Sequence, residues 1–291
     1  NFVPRIWGQA AENLVLVAVP TFIFMGVMME RSGVAENLLY STQVLLRRVP
    51  GSLALAVTVM GTILAAMTGI IGASVTMLTA MALPTMLRQR YSPALATGCI
   101  CAAGTLGILI PPSIMLIIMA DLLSVSVGTL FMAALGPGLL LAGLYMVYIV
   151  VIATVNPTVA PPLPHNLLYV PARQMPRLIF VSFLPPAIVL AGIKSSILFG
   201  WATPSEAGAV GAFLVVLLAW GNRRLNWEVF KGVNYSTALT VSMVFFIVIS
   251  ATCFAYVFRS LGGDDVVAAG ILAAGLDSWG LLILIMVVVF L

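Results

Sequence analysis

Two short segments carry residue types that can hold a small ion inside an otherwise apolar chain. One is Thr68-Gly69-Ile70-Ile71-Gly72-Ala73-Ser74, continuing to Thr76, and the other is Gly104-Thr105-Leu106-Gly107-Ile108-Leu109-Ile110-Pro111-Pro112-Ser113. Pro111 and Pro112 each lack a backbone donor and clash with the carbonyl one turn earlier, so a helix carrying them unwinds there. Gly104 and Gly107 extend that expectation upstream. Unwound backbone frees carbonyl oxygens, which are tolerated at membrane depth only where they are buried or line a wet cavity. With the hydroxyls of Ser74, Thr76, Thr105 and Ser113 they form a set of neutral oxygen ligands, and Gly69, Gly72, Gly104 and Gly107 allow close backbone approach. Half-helix N-termini facing the same cavity favour an anion. Neither segment holds Asp or Glu. Such a site suits Na⁺ better than a proton relay, which needs an intramembrane Asp, Glu or His. The expected cation half-site is Gly69, Gly72, Ser74, Thr76, Gly104, Thr105 and Gly107, with Ser74, Pro111, Pro112 and Ser113 facing the substrate. In the competing reading the Gly and Ser residues serve close helix packing and Pro111-Pro112 is a kink.

The composition says what surrounds these segments. Of 291 residues, 62% are hydrophobic and 8% charged, whereas a soluble domain carries about 25% charged residues. Mean hydropathy is +1.17. The chain is an integral membrane protein, and a water-soluble enzyme is excluded. The 25 glycines and 17 prolines, many inside apolar runs, point to helices that break. The thirteen cations behind the net charge of +4 are spread over short loops as topology signals. No block of like charge exists to grip nucleic acid. Cys99, Cys101 and Cys253 have no metal-ligand spacing and are packing residues. His165 lies in a Pro-rich loop and Asp121 at a helix end, both solvated, and Thr203-Pro204-Ser205-Glu206 is a capping box at the start of a span. No cofactor is expected, and nothing here assembles the nucleophile, base or metal cluster of a membrane enzyme.

The elements follow from the apolar runs. Asn13–Met29 spans, and Val34–Val49 is an amphipathic helix lying in the interface. The stretch from Pro50 to Arg88 has room for about forty residues, which two full spans would use before any turn. With Gly, Thr and Ser at its centre, a re-entrant hairpin over 50–88 fits better, with two spans as the alternative. A discontinuous helix covers 92–121, its break near the bilayer midplane. Val127–Thr154, Leu178–Gly192, Ala207–Trp220 and Ala238–Phe258 span, and Asn222–Asn234 forms a second interfacial segment anchored by Trp227. Residues 1–153 form a first half-repeat, 154–176 a cytoplasmic loop, and 177–291 further spans leading into a second repeat. Arg31, Arg47, Arg48, Arg88, Arg90, Arg173, Arg177, Arg223, Arg224 and Lys231 fall on one side of the membrane; Arg5, Lys194 and Arg259 fall on the other. The first side is cytoplasmic, and the hairpin mouth opens inward.

A weak repeat links the two ends of the chain. Arg31-Ser32-Gly33, a segment of about fifteen residues and the run from Pro50-Gly51 are echoed by Arg259-Ser260-Leu261-Gly262, a similar segment and the run from Trp279-Gly280. The first connecting segment carries Arg47 and Arg48; the second carries Asp264, Asp265 and Asp277. A unit that recurs with its basic flank replaced by an acidic one fits an inverted repeat, the mark of secondary transporters. Asn1 has no Met or signal peptide before it, and Gly280–Leu291 is too short to span, so both ends are expected to be cut from a longer chain.

At Val19-Pro20-Thr21-Phe22 through Met29-Glu30-Arg31-Ser32-Gly33, Gly69 to Ser74, Gly107-Ile108-Leu109-Ile110-Pro111-Pro112-Ser113-Ile114 and Ala202-Thr203-Pro204-Ser205-Glu206-Ala207, the sequence resembles the large membrane subunit of tripartite ATP-independent periplasmic (TRAP) transporters. The resemblance implies an all-α, elevator-type, Na⁺-coupled importer of organic acids such as C4-dicarboxylates or sialic acid, in a bacterial inner membrane. It also implies a small four-helix membrane subunit and a soluble periplasmic substrate-binding protein as partners. The first hairpin tip would correspond to Gly69–Thr76 and the first broken helix to Gly104–Ser113, with sodium between them. The family's earliest spans, second hairpin tip and second Pro-containing break are missing, so half of the site is expected here. An ion-coupled anion symporter working without a binding protein, and a channel, are the competing functions.

Overall fold

The structure is a computed structural model. It describes residues 16–69, 71–161, 174–273, 275 and 277–290, together with Pro4 and Gly8. Arg5, Ile70, His165 and Arg173 lie outside the described residues. All regular structure among the described residues is helical, in twelve helices. These are α1 (Ala18–Arg31), α2 (Val34–Leu46), α3 (Ser52–Thr68), α4 (Ile71–Arg88), α5 (Pro93–Leu109), α6 (Ile114–Leu122), α7 (Val127–Val155), α8 (Met175–Leu198), α9 (Pro204–Gly221), α10 (Trp227–Ser260), α11 (Gly263–Ala273) and α12 (Ser278–Phe290). Three of them, α7, α8 and α10, are long and apolar enough to cross a membrane, and α5 with α6 forms a bent pair that would make a fourth span. The chain divides into two units, Leu14–Val241 and a second made of Asn1–Asn13 and Ser242–Leu291.

In the larger unit α1 stops where Gly33 turns the backbone left-handed, at φ 78°, a conformation open to glycine and strained for other residues. The amphipathic α2 follows. It buries Val34, Leu38, Ser41 and Thr42 and exposes Glu36, Asn37 and Tyr40, the stripe that a 3.6-residue period dictates. Its inner face packs on α3 and α8, and the Ser41 and Ser182 hydroxyls share a hydrogen bond. Helices α3 and α4 pack on each other and both pack on α5. Gly61 makes the close approach possible, because a side-chain carbon there would stand 2.6 Å from the Ala103 Cβ. Within a bilayer such small residues drive helix association through dispersion, since the lipid is as apolar as a leucine side chain.

Two sequence expectations are corrected here. The segment Asn222–Asn234 is not a separate interfacial element: Asn226 caps a helix by accepting from the Val229 N–H at 2.7 Å, and that helix runs unbroken through 34 residues to Ser260. Its charges mark a wet end of the helix rather than a boundary. Lys194 lies inside α8, ahead of its last turn, rather than in a loop; its long stem lets the charged end reach toward the interface.

In the smaller unit α10 ends at Ser260, and Gly262, again left-handed at φ 76°, leads into α11 and α12. Arg259 pairs with Asp264 at 3.4 Å, and Asp277 caps α12 by accepting from the Gly280 N–H at 2.8 Å. The local succession of helix, left-handed glycine, short helix and apolar helix thus occurs at both Gly33 and Gly262.

Candidate functional site

The break in the α5–α6 pair is short. Helix α5 stays helical through Gly104, Thr105 and Gly107 to Leu109. Ile110 and Ser113 are extended, at φ −90°, ψ 117° and φ −129°, ψ 133°, and the two halves meet at 40°. The expected unwinding across all of Gly104–Ser113 is therefore narrowed to Ile110–Ser113. The reason is steric: proline removes its own donor and clashes only with the turn before it, while glycine upstream lowers helix propensity without breaking the ladder. Likewise α4 is helical from Ile71, so Gly72, Ser74 and Thr76 sit in its first two turns. Among the described residues of that segment, only Gly69, at φ 60°, leaves helical geometry.

Folding brings the two segments together at this narrower break. A side-chain carbon on Gly69 would stand 3.2 Å from the Pro112 carbonyl oxygen and 3.4 Å from the Ser113 Cα and Ile114 N. The hairpin tip therefore rests directly on the backbone of the break. Four helix ends converge there: the C-termini of α3 and α5, whose last carbonyls attract a cation, and the N-termini of α4 and α6, whose first N–H groups attract an anion. Farther along, Gly104 lies against Val75, whose backbone N and Cα would be 3.3 Å from any added side-chain carbon. Gly104 thereby fixes how closely α5 approaches the turn carrying Ser74 and Thr76.

The hydroxyls fall into two groups. Ser74 and Ser113 are each 1% exposed, and the Ser113 Oγ has no hydrogen-bond partner among the described residues. A buried oxygen left without a partner is uncommon and calls for a ligand or water. Thr76 and Thr105 are exposed, and each donates to its own helix, Thr76 to the Gly72 carbonyl at 2.8 Å and Thr105 to the Ala102 carbonyl at 2.8 Å. Those bonds use the hydroxyl protons. Pro111 and Pro112 are buried, as are Gly69, Gly104 and Gly107. Gly72 is exposed, and among the described residues nothing lies within 4 Å of where a side chain would begin, so no helix contact described here depends on it. Sequence reasoning missed Val75 and Gly138. Gly138 lets α7 approach the break, since a side-chain carbon added there would stand 3.0 Å from an Ile110 side-chain carbon and 3.4 Å from the Leu109 carbonyl oxygen. The Gly136-Pro137-Gly138 run was the available signal.

Beside α4 lies a cleft of 480 Å³, lined by Met77, Ala80 and Met81 on one wall and by Arg31, Glu36, Arg223 and Arg224 among others. Arg224 pairs with Glu36 at 2.9 Å, and the Asn222 side-chain amide donates to the Ser32 carbonyl at 3.1 Å. No group of three or more His, Cys, Asp or Glu that could hold a metal occurs among the described residues.

Comparison with known proteins adds an independent line. Residues 3–291 match the family described as tripartite ATP-independent periplasmic transporter, DctM component. The chain is 34% identical to the C4-dicarboxylate TRAP transporter large permease protein DctM of Pseudomonas aeruginosa, over 96% of this chain and 64% of that protein. It is 29% identical to the ectoine TRAP transporter large permease protein TeaC of Halomonas elongata, over 94% and 63%. It is also 27% identical to the 2,3-diketo-L-gulonate TRAP transporter large permease protein YiaN of Escherichia coli, over 97% and 65%. The chain thus spans just under two thirds of the length of these relatives. From the broken α5–α6 pair, the apolar helices and a family match running almost end to end, this multi-pass membrane chain belongs to the DctM component family of TRAP transporters.

Proposed function

We propose that the whole protein is the large permease of a sodium-coupled TRAP system that imports a small organic acid across a bacterial inner membrane. The observation that carries this reading is the seating of Gly69 on the Pro112–Ile114 backbone, with the buried Ser113 hydroxyl beside it having no partner among the described residues. Carbonyl ends of α3 and α5, with Ser74, Thr76, Thr105 and Ser113, are the oxygen donors for Na⁺, and the N-termini of α4 and α6 favour the carboxylate of the substrate. The cleft beside α4 sets Arg31, Arg223 and Arg224 against Glu30 and Glu36, a small cationic excess that suits an anionic cargo.

Helices α3 and α4 have 17 and 18 residues, about 26 Å each. That is short of the ~30 Å hydrocarbon core and supports a re-entrant hairpin over two full spans. Residues 1–153 then form one half-repeat and 177–291 lead into its inverted counterpart, joined by a cytoplasmic loop over 154–176, in an elevator-type arrangement. The left-handed glycines Gly33 and Gly262 at matching points support the repeat. A small four-helix subunit and a periplasmic binding protein complete the system. The relatives named above act on C4-dicarboxylates, ectoine and 2,3-diketo-L-gulonate by their names, and a small carboxylate is the chemistry these share.

The test is uptake of labelled C4-dicarboxylate into liposomes holding the full-length permease and its small partner, with and without an inward sodium gradient and the binding protein. Uptake that needs both is expected. Uptake needing sodium alone would make the protein a symporter of similar architecture, and flux indifferent to both would make it a channel.

A further inference from the structure

Away from the candidate site, a groove of 670 Å³ runs between α3, α5 and α7. On α5 it extends from Ser92 to Ala102 and on α7 from Leu141 to Ile152, with Thr58 of α3 at its floor. Ten residues of helix rise about 15 Å, which is one leaflet of a ~30 Å hydrocarbon core. The walls are apolar along this length, and a groove at that depth is bathed in acyl chains rather than water.

One end of the groove is different. At the Ser92 end, the Ser92 N–H donates to the Val159 carbonyl at 2.9 Å, and α5 begins with Pro93 and no side-chain cap. The Ala94 and Leu95 N–H groups, both on residues that line the groove, have no partner among the described residues. Arg88 and Arg90 lie immediately before Ser92 in the chain, with Arg90 held left-handed at φ 62°. A largely apolar channel one leaflet long, ending in uncapped amides with the exposed Arg88 and Arg90 a few positions before them in the chain, matches an amphiphile with one anionic head.

We propose that this groove is a binding site for an anionic phospholipid of the cation-rich, cytoplasmic leaflet. The acyl chain lies between α5 and α7, and the phosphate meets the α5 N-terminus and the Arg88 and Arg90 side chains. Basic mouths between membrane helices are suited to acidic lipid heads, and a helix N-terminus to phosphate. A neutral lipid would fill the same channel without using the charged end.

The experiment is native mass spectrometry of the full-length permease with its small partner, purified in detergent and offered equal phosphatidylglycerol and phosphatidylcholine. Gly98→Leu is the informative variant, because an added side chain at Gly98 meets nothing within 4 Å and enters the groove. Leucine also favours the helix over glycine, so α5 should fold. The wild type should retain phosphatidylglycerol over phosphatidylcholine, and Gly98→Leu should lose retained lipid of both kinds. Arg88→Gln with Arg90→Gln should keep binding but lose head-group preference, with phosphatidylglycerol affinity falling roughly fivefold per cation. Equal retention of the two lipids by the wild type, or full phosphatidylglycerol retention by Gly98→Leu, would overturn the proposal. A groove filled by the small subunit, or by a segment of the permease outside this chain, would give the first of these results.

Discussion

Replacing Gly69 by alanine should damage the hairpin tip, while the same change at Gly72 should be harmless or mildly stabilising. Gly69 has φ 60°, where a residue with a Cβ pays about 1–2 kcal/mol. Its new Cβ would also stand 3.2 Å from the Pro112 oxygen and 3.4 Å from the Ser113 Cα and Ile114 N. Those neighbours are backbone and cannot rotate away, so the tip or the break must shift, as in an overpacked core at about 1–3 kcal/mol. Together the cost is about 2–5 kcal/mol. Gly72 is helical and has open space around it, so alanine there gains up to about 1 kcal/mol of helix propensity. Thermal unfolding of the full-length permease in detergent would read both, at roughly 2–4 °C per kcal/mol on the scale of domains of 150–250 residues. Gly69→Ala should lower Tm by at least about 4 °C and, if transport is sodium-coupled as proposed, raise the sodium concentration needed for half-maximal uptake. Gly72→Ala should leave Tm equal or higher. If Gly69→Ala melts with the wild type, or Gly72→Ala is the more damaging change, the tip does not rest on the break as described.

The remaining predictions concern packing, capping and charge. Gly104→Ala should cost about 1–3 kcal/mol by overlapping the Val75 side chain, and adding Val75→Ala should restore most of it; a double mutant no better than the single would show that Val75 is not the obstacle. The Thr203 N–H and hydroxyl both donate to the Glu206 carboxylate, at 2.7 and 2.8 Å, and hold it below its ordinary value of 4.5. A lowered folded value means the contribution is present above pH 4.5 and is lost as pH falls through the folded value. The Tm difference between wild type and Glu206→Gln should therefore be flat near neutrality and vanish in acid, and a difference that grows in acid would reverse the assignment. Arg224→Gln should cost less than about 1 kcal/mol, because its pair with Glu36 is more than half exposed. Raising salt to 1 M should shrink that difference, and a larger, salt-independent loss would mean that Arg224 acts by packing on Gly33.

Some of this was legible in the residues themselves. Thr203-Pro204-Ser205-Glu206 specified its own capping box, because every partner lies within one turn. Pro111-Pro112 specified a break, because the missing donors and ring clashes are local. The excess of apolar residues specified a membrane chain, because no folding can hide so few charges' worth of surface in water. The run Arg223–Lys231 misled for the matching reason. Charge reports contact with water, and a helix such as α10 can cross from water into lipid without interruption.

What tertiary structure decided is the meaning of residues that look alike in sequence. Gly61, Gly69 and Gly104 each have a neighbour pressed against them, whereas Gly72 and Gly98 have open space. Ser113 is buried with no partner among the described residues, whereas Thr105 is exposed and bonded to its own turn. Local rules assign each of these a backbone conformation and a donor or acceptor, but not a neighbour. Neighbours come from packing between positions far apart in the chain, as where Gly69 meets Pro112 or Asn222 meets Ser32. Close packing leaves each such position either filled or open, so the two glycines of the hairpin tip acquire opposite roles only once α3, α4 and α5 are assembled.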